Sequence, residues 1–101
     1  EVGRLRGVKF ITAAIHGGKT PTVEASHYKL YATELSLRIA NATMDIVGPG
    51  AQLALGTEDA PLRGRPERCY TYTVIDTIGG GSSEVQKNII ARRGLGLPKN
   101  F

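Results

Sequence analysis

Residues 21–50 read PTVEASHYKLYATELSLRIANATMDIVGPG, and the spacing of their apolar side chains decides the fold. Tyr28, Tyr31, Leu35, Ile39, Ala42 and Ile46 advance by three or four positions and line one stripe of a helix. Thr20 suits the N-cap, and Pro21 suits the first turn, where its missing N–H costs nothing. Glu24 lies near the positive end of the helix dipole. A helix from Pro21 to about Val47 is about 40 Å long at the α-helical rise. Such a rod does not bury its stripe against one short neighbour, so further helices of this chain or another must cover it.

Upstream, EVGRLRGVKFITAAIHGG (residues 1–18) places Leu5, Val8, Ile11 and Ile15 at helical spacing, with Gly17-Gly18 as a stop. No capping residue precedes Val2, and the chain opens at Glu1 without a methionine, so the expectation is a helix cut out of a longer one. Downstream, Gly48, Pro49 and Gly50 end the long helix. Residues 48–68 then read as a long surface connection rich in Gly and Pro. CYTYTVIDTI (residues 69–78) is ambiguous: Tyr70, Tyr72 and Val74 alternate like a strand, whereas Tyr70, Val74 and Ile78 share a helical face. Helix is preferred, because a lone strand among helices has no ladder partner for its backbone groups. A last helix begins at Ser82 or Ser83 as N-cap and turns Val85, Ile89 and Ile90 inward. Arg92 and Arg93 complement its C-terminal dipole, and Gly94 ends it. The fold class is therefore all-α, an up-down helical bundle.

The chain has 101 residues, the size of one domain with a single core. No secretory leader and no apolar run of bilayer length is present, and a cytoplasmic, non-membrane protein is expected. The net charge is +4, from 13 Lys and Arg against 9 Asp and Glu, but the basic residues are dispersed; nucleic-acid binding is not expected. Cys69 is the only cysteine, so an internal disulfide is excluded, and the thiol is expected to be a small buried hydrophobe. His16 and His27 lack metal-ligand spacing, and no metal site is expected. GGKT at 17–20 has Ala13 where a phosphate-binding loop needs its first glycine, and it follows a helix instead of a strand. A helix end running into the next N-cap explains it. NAT at 41–43 is a glycosylation pattern inside the long helix and is attributed to chance.

IGGGSSEVQKNIIARRGLGLP (residues 78–98) closely resembles the C-terminal signature of acyl-CoA dehydrogenases: a glycine pair, Thr or Ser, Ser, an acidic or amide residue, then an aliphatic-Gln-basic-Asn-Ile-Ile-Ala run. GKTPTVEASHYKLYATEL (18–35) resembles that family's Pro-x-x-Glu-Ala-Ser-x-x-Lys helix start, and MDIVGPGAQL (44–53) its helix end and glycine loop. The resemblance implies a larger flavoprotein with an N-terminal helical domain, a middle β-domain and a C-terminal four-helix domain, of which residues 1–101 are a part. It further implies an acyl-CoA substrate, FAD, reoxidation by an electron-transfer flavoprotein, and homo- or hetero-oligomers formed through the helical domain.

By the same resemblance Gly81, Ser82 and Glu84 fall where the family contacts the FAD of one subunit, and Gly48 and Gly50 where it meets the cofactor of the neighbour. Glycines before a helix start let a cofactor edge approach bare backbone N–H groups. Asp45 stands where a glutamine is common and Pro49 where a second glycine is usual. Gly80 occupies the position of the usual catalytic glutamate, and glycine carries no base, so no catalytic residue is assigned in this chain. Three explanations stay open: a base on an upstream helix, a non-catalytic subunit of a heteromer, or a lost activity. The backbone N–H of Gly80 is a candidate donor to the thioester oxygen. A different class of function is a helical oligomerisation or scaffold subunit without catalysis.

Overall fold

The computed structural model describes residues 1–99; the last two residues of the expected 1–101 domain lie outside the described residues. Every regular element among the described residues is helical: α1 (Val2–His16), α2 (Thr22–Val47), α3 (Arg65–Asp76) and α4 (Ser83–Ile89). Two 3₁₀ turns, Pro49–Gln52 and Pro61–Gly64, separate α2 from α3, and a π turn, Ile90–Gly94, extends α4. Length alone suggested one core, whereas the internal contacts gather into two compact units: Glu1–Ala32 with the segment from Gly81 onward, and Thr33–Gly80.

In the first unit, α1 ends where its glycines stop it. Gly17 and Lys19 N–H groups donate to the carbonyls of Ala13 and Ala14, and Gly18 turns left-handed at φ +70°. The covered face of α1 differs from the expected stripe. Leu5, Val8 and Ile15 are exposed; Gly3, Gly7, Ile11 and Ala14 are half-covered. The reason is steric. A Cβ on Gly3 would press on the Tyr31 ring and one on Gly7 on the Tyr28 ring, so the bare backbone of α1 is what seats these two tyrosines of α2.

Helix α2 begins one residue later than expected. The Ala25 N–H donates to the Pro21 carbonyl, which puts the cap position at Pro21 instead of Thr20, and the Thr20 carbonyl accepts from Thr22 N–H. Its most covered stripe is Ser26, Leu30, Thr33, Leu37, Ala40 and Met44, spaced alternately by four and three. On a helix that stripe lies opposite the expected one. Of the expected residues only Tyr28 is half-covered; Tyr31, Leu35, Ile39, Ala42 and Ile46 are exposed, Ile46 to 85%.

In the second unit, residues 48–64 are more ordered than a surface connection. Ala51 N–H donates to Gly48 and Leu53 N–H to Gly50, and Ala51 is 1% exposed. The Pro61 ring packs where a side chain on Gly50 would stand, which couples the two 3₁₀ turns. Helix α3 starts at Arg65, earlier than expected, with Pro66 in its first turn, and it ends at Asp76, before Ile78. Tyr70, Val74 and Ile78, the residues that share a helical face in the sequence, are exposed, while Pro66 and Thr73 are buried and the Thr73 hydroxyl donates to the Tyr70 carbonyl at 2.8 Å. Cys69 is exposed rather than buried.

Helix interiors ordinarily gain about 1 kcal/mol when Gly becomes Ala. Gly7→Ala is nevertheless expected to destabilise the full-length protein by about 1–2 kcal/mol, because the new methyl overlaps the Tyr28 ring. Urea unfolding measures this, and adding Tyr28→Ala should render Gly7→Ala neutral or stabilising. A single Gly7→Ala variant that gains stability would show that α1 does not sit on Tyr28.

Candidate functional site

The Gly-rich segment before α4 is shaped by two consecutive left-handed residues, Gly80 at φ +70° and Gly81 at φ +100°. Nothing lies within 4 Å of where a Cβ on Gly80 would stand, so this position opens onto free space. Gly81 is the reverse: a Cβ there would lie 2.8 Å from Nε2 of Gln86, which is 6% exposed. The turn then passes to Ser82 in extended conformation, the N-cap of α4. Its Oγ accepts from Val85 N–H at 3.4 Å and its carbonyl from Gln86 N–H at 2.9 Å.

Lys29 of α2 joins this turn. Its Nζ donates to the Gly81 carbonyl oxygen at 2.6 Å, a bond between residues 52 apart in sequence. Glu84 follows in the first turn of α4 and is fully exposed to solvent. Its own backbone N–H, then the Ser82 hydroxyl, and last the charge of Lys87 hold its carboxyl below the usual carboxylate range, against a small opposing effect of burial. At neutral pH this end of α4 therefore combines backbone donors, a hydroxyl and an ionised carboxylate.

Of the residues singled out from the sequence, Gly81, Ser82 and Glu84 fall together in the first unit, and Ser82 is the N-cap, as one of the two serines was expected to be. Gly48 and Gly50 belong to the second unit. Gly48, at φ +79°, caps the Pro49–Gln52 turn and donates its N–H to the Met44 carbonyl at 2.9 Å. Val85, expected inward, is exposed; the buried residue of α4 is Gln86, while Ile89 and Ile90 are half-covered. Gly94 closes the π turn, with Leu95 N–H shared between the Ile90 and Ala91 carbonyls.

Three features escaped the sequence reading. Lys29 bonds the Gly81 turn, and Gln86 lies against it. Lys29 closes the Pro-x-x-Glu-Ala-Ser-x-x-Lys pattern, a signal that was visible without its partner. The third is a groove of about 650 Å³ within the second unit, between α2 and α3, lined by Ile39, Thr43, Leu62, Arg65, Cys69 and Tyr72. Among the described residues no helix is long and apolar enough to cross a membrane.

A family model described as the C-terminal domain of acyl-CoA dehydrogenases matches residues 1–95. The acyl-CoA dehydrogenase FadE26 of Mycobacterium tuberculosis is 40% identical over 82 residues, covering 81% of this chain and 20% of that protein. The acyl-CoA dehydrogenase IpdE1 of the same organism is 44% identical over 62 residues, 60% of this chain and 15% of that protein. The crystal structure of the ChsE4-ChsE5 complex from Mycobacterium tuberculosis superposes with a TM-score of 0.77 at 38% identity, over 89% of this chain and 23% of that one. The chain thus spans about a fifth or less of the curated relatives cited here.

Ser82→Ala removes both the cap and one of the groups that stabilise the Glu84 carboxylate. We expect a loss of about 1 kcal/mol of local stability and a rise of the Glu84 pKa, read by carboxyl-carbon NMR titration. The sign of the pH effect follows from the lowered pKa. Glu84's contribution is present above the ordinary value of 4.5 and is lost as pH falls through its depressed folded value. In Glu84→Gln this acid loss should disappear; an unchanged acid limb would remove the assignment.

Proposed function

The chain belongs to the acyl-CoA dehydrogenase family, and from that premise we propose that it is part of the C-terminal helical domain of a flavoenzyme. The complete protein would also contain the N-terminal helical and middle β-domains. Its reaction would introduce an α,β double bond into an acyl-CoA thioester: a carboxylate removes the α-proton, and the β-hydrogen leaves with its electron pair. FAD, when bound, supplies the acceptor for that hydride.

The observation that carries this reading is the turn at Gly80-Gly81 leading into the Ser82 cap, within a chain matched by the family over residues 1–95. The residues present fit a flavin in a particular way. Gly80 leaves open space beside the backbone, the cap offers a hydroxyl, and Glu84 is ionised and accepts hydrogen bonds. A carboxylate repels a diphosphate, so Gly81, Ser82 and Glu84 suit the neutral polar edge of the ring system or a hydroxyl of its chain. Gly48 and Gly50 are assigned to the cofactor of a neighbouring subunit, with the Gly48 position also open.

Within this chain Gly80 bears no base. The proton is removed by a carboxylate contributed from outside residues 1–101, on an upstream helix or on another subunit, and the Gly80 N–H is assigned as a donor to the thioester oxygen. Assembly into a homo- or hetero-oligomer belongs to the proposal. It is supported by the exposed apolar side chains of α1, α2 and α3 and by likeness to a structure that is itself a complex. Electron-transfer flavoprotein as reoxidant and a cytoplasmic location complete it.

The full-length protein should purify yellow and bleach when an acyl-CoA is added anaerobically. Residues 1–101 alone should hold no flavin and show no turnover. A colourless full-length oligomer would replace this reading by that of a helical scaffold subunit.

A further inference from the structure

Under the proposed reading the turn before α4 faces a flavin, and what fixes that turn is a side chain from another helix. The Gly81 carbonyl accepts from Lys29 Nζ at 2.6 Å, a short charge-assisted bond. The peptide linking Gly81 to Ser82 is trans and planar, so its N–H points away from its carbonyl. Holding the oxygen toward α2 therefore turns the Ser82 N–H to the side away from α2. The ammonium group has a second effect: drawing electron density onto the oxygen makes the same peptide's N–H a stronger donor.

Glycine by itself would not set this direction. At φ +100° Gly81 has no Cβ to restrict it, and its peptide has many orientations of similar energy. The Gln86 amide lies against the same residue, at 2.8 Å from the Cβ position, and Gln86 is buried. The turn is thus confined by Gln86 and drawn by Lys29, while Ser26, one turn earlier on α2, is itself 5% exposed and anchors the helix at that level. All of these residues belong to the first unit.

We propose that Lys29 is a positioning residue for the cofactor edge: it sets the direction and the donor strength of the Ser82 N–H toward the flavin. This rests on the flavoenzyme reading for the identity of the acceptor, but not for the state of the peptide, which exists without cofactor. Lys29 touches neither substrate nor flavin in this scheme; it acts through the 81–82 peptide.

The test uses the full-length protein with Lys29→Met, Lys29→Gln as a second neutral replacement, and Lys29→Arg. Apoprotein is titrated with FAD by flavin fluorescence, the visible flavin bands are recorded, and amide exchange at Ser82 is followed without cofactor, with thermal unfolding as a control. Both neutral variants should bind FAD about tenfold more weakly, shift the flavin bands and exchange the Ser82 amide about tenfold faster; Lys29→Arg should stay within about threefold of wild type. Wild-type affinity, bands and Ser82 exchange in a folded neutral variant would overturn the proposal. So would equal damage from Lys29→Arg, or a loss spread evenly over all amides of α4 with a matching fall in melting temperature. Wild-type protein that binds no FAD defeats the flavoenzyme reading instead, and the Ser82 exchange rates then decide by themselves whether Lys29 governs this peptide.

Discussion

The bond from Lys29 to the Gly81 carbonyl connects the two halves of a unit that is discontinuous in sequence. Forming it requires α2 to present its lysine at the right turn and Gly81 to adopt a left-handed conformation that brings its carbonyl to that lysine. Neither condition is costly alone. Residue 81 at φ +100° lies in a backbone region that side chains rarely adopt, and the Gln86 amide fills the space where a side chain would begin. Substituting the glycine would thus strain the backbone and displace Gln86 together, and the carbonyl would leave the ammonium group.

The start of α4 depends on that turn. With the 81–82 peptide fixed, Ser82 adopts the extended geometry of an N-cap and satisfies an N–H that the short helix leaves without an intrahelical partner. A seven-residue helix has little intrinsic stability. It is secured at its other end by the π turn to Gly94, where a Cβ would stand 3.2 Å from Val23 of α2. Both ends of this segment are thereby held by α2, through residues 23 and 29.

Helical class and most boundaries were legible because they depend on local chemistry: the Gly17-Gly18 stop, the Gly48-Pro49-Gly50 break and the serine cap are each decided within a few residues. The inward faces were not. In α2 the residues most covered include Ser26 and Thr33, whereas the more apolar stripe lies opposite and meets α1 only at Tyr28 and Tyr31, so hydropathy did not mark the face covered within these residues. In α1 the contact surface is made of glycines, which carry no hydropathy signal until the facing tyrosines are known. The strand-or-helix ambiguity of residues 69–78 arose because β-branched and aromatic residues packed into α3 remain exposed there, where helical hydrogen bonding and Pro66 in the first turn prevail over propensity. For the site, Ser82 and Glu84 were readable as a capped helix start, but a lysine meeting a carbonyl 52 positions away has no local signature.

A helix apolar on opposite faces is built to lie between two layers. In α2 one face is covered within the chain, while Leu35, Ile39, Ala42 and Ile46 on the other remain exposed; Tyr70, Val74 and Ile75 of α3 and Leu5, Val8 and Phe10 of α1 are exposed as well. Among the described residues the buried apolar side chains are small, Ala40, Ala51 and Pro66, and they stabilise little. The exposed apolar area is available to a further layer, and the curated relatives are about five times the length of this match or more. The same logic applies to chemistry. Under the proposed reading the turn before α4 is likewise a partial site, since Gly80 carries no side chain, and the base is assigned to what covers these apolar faces.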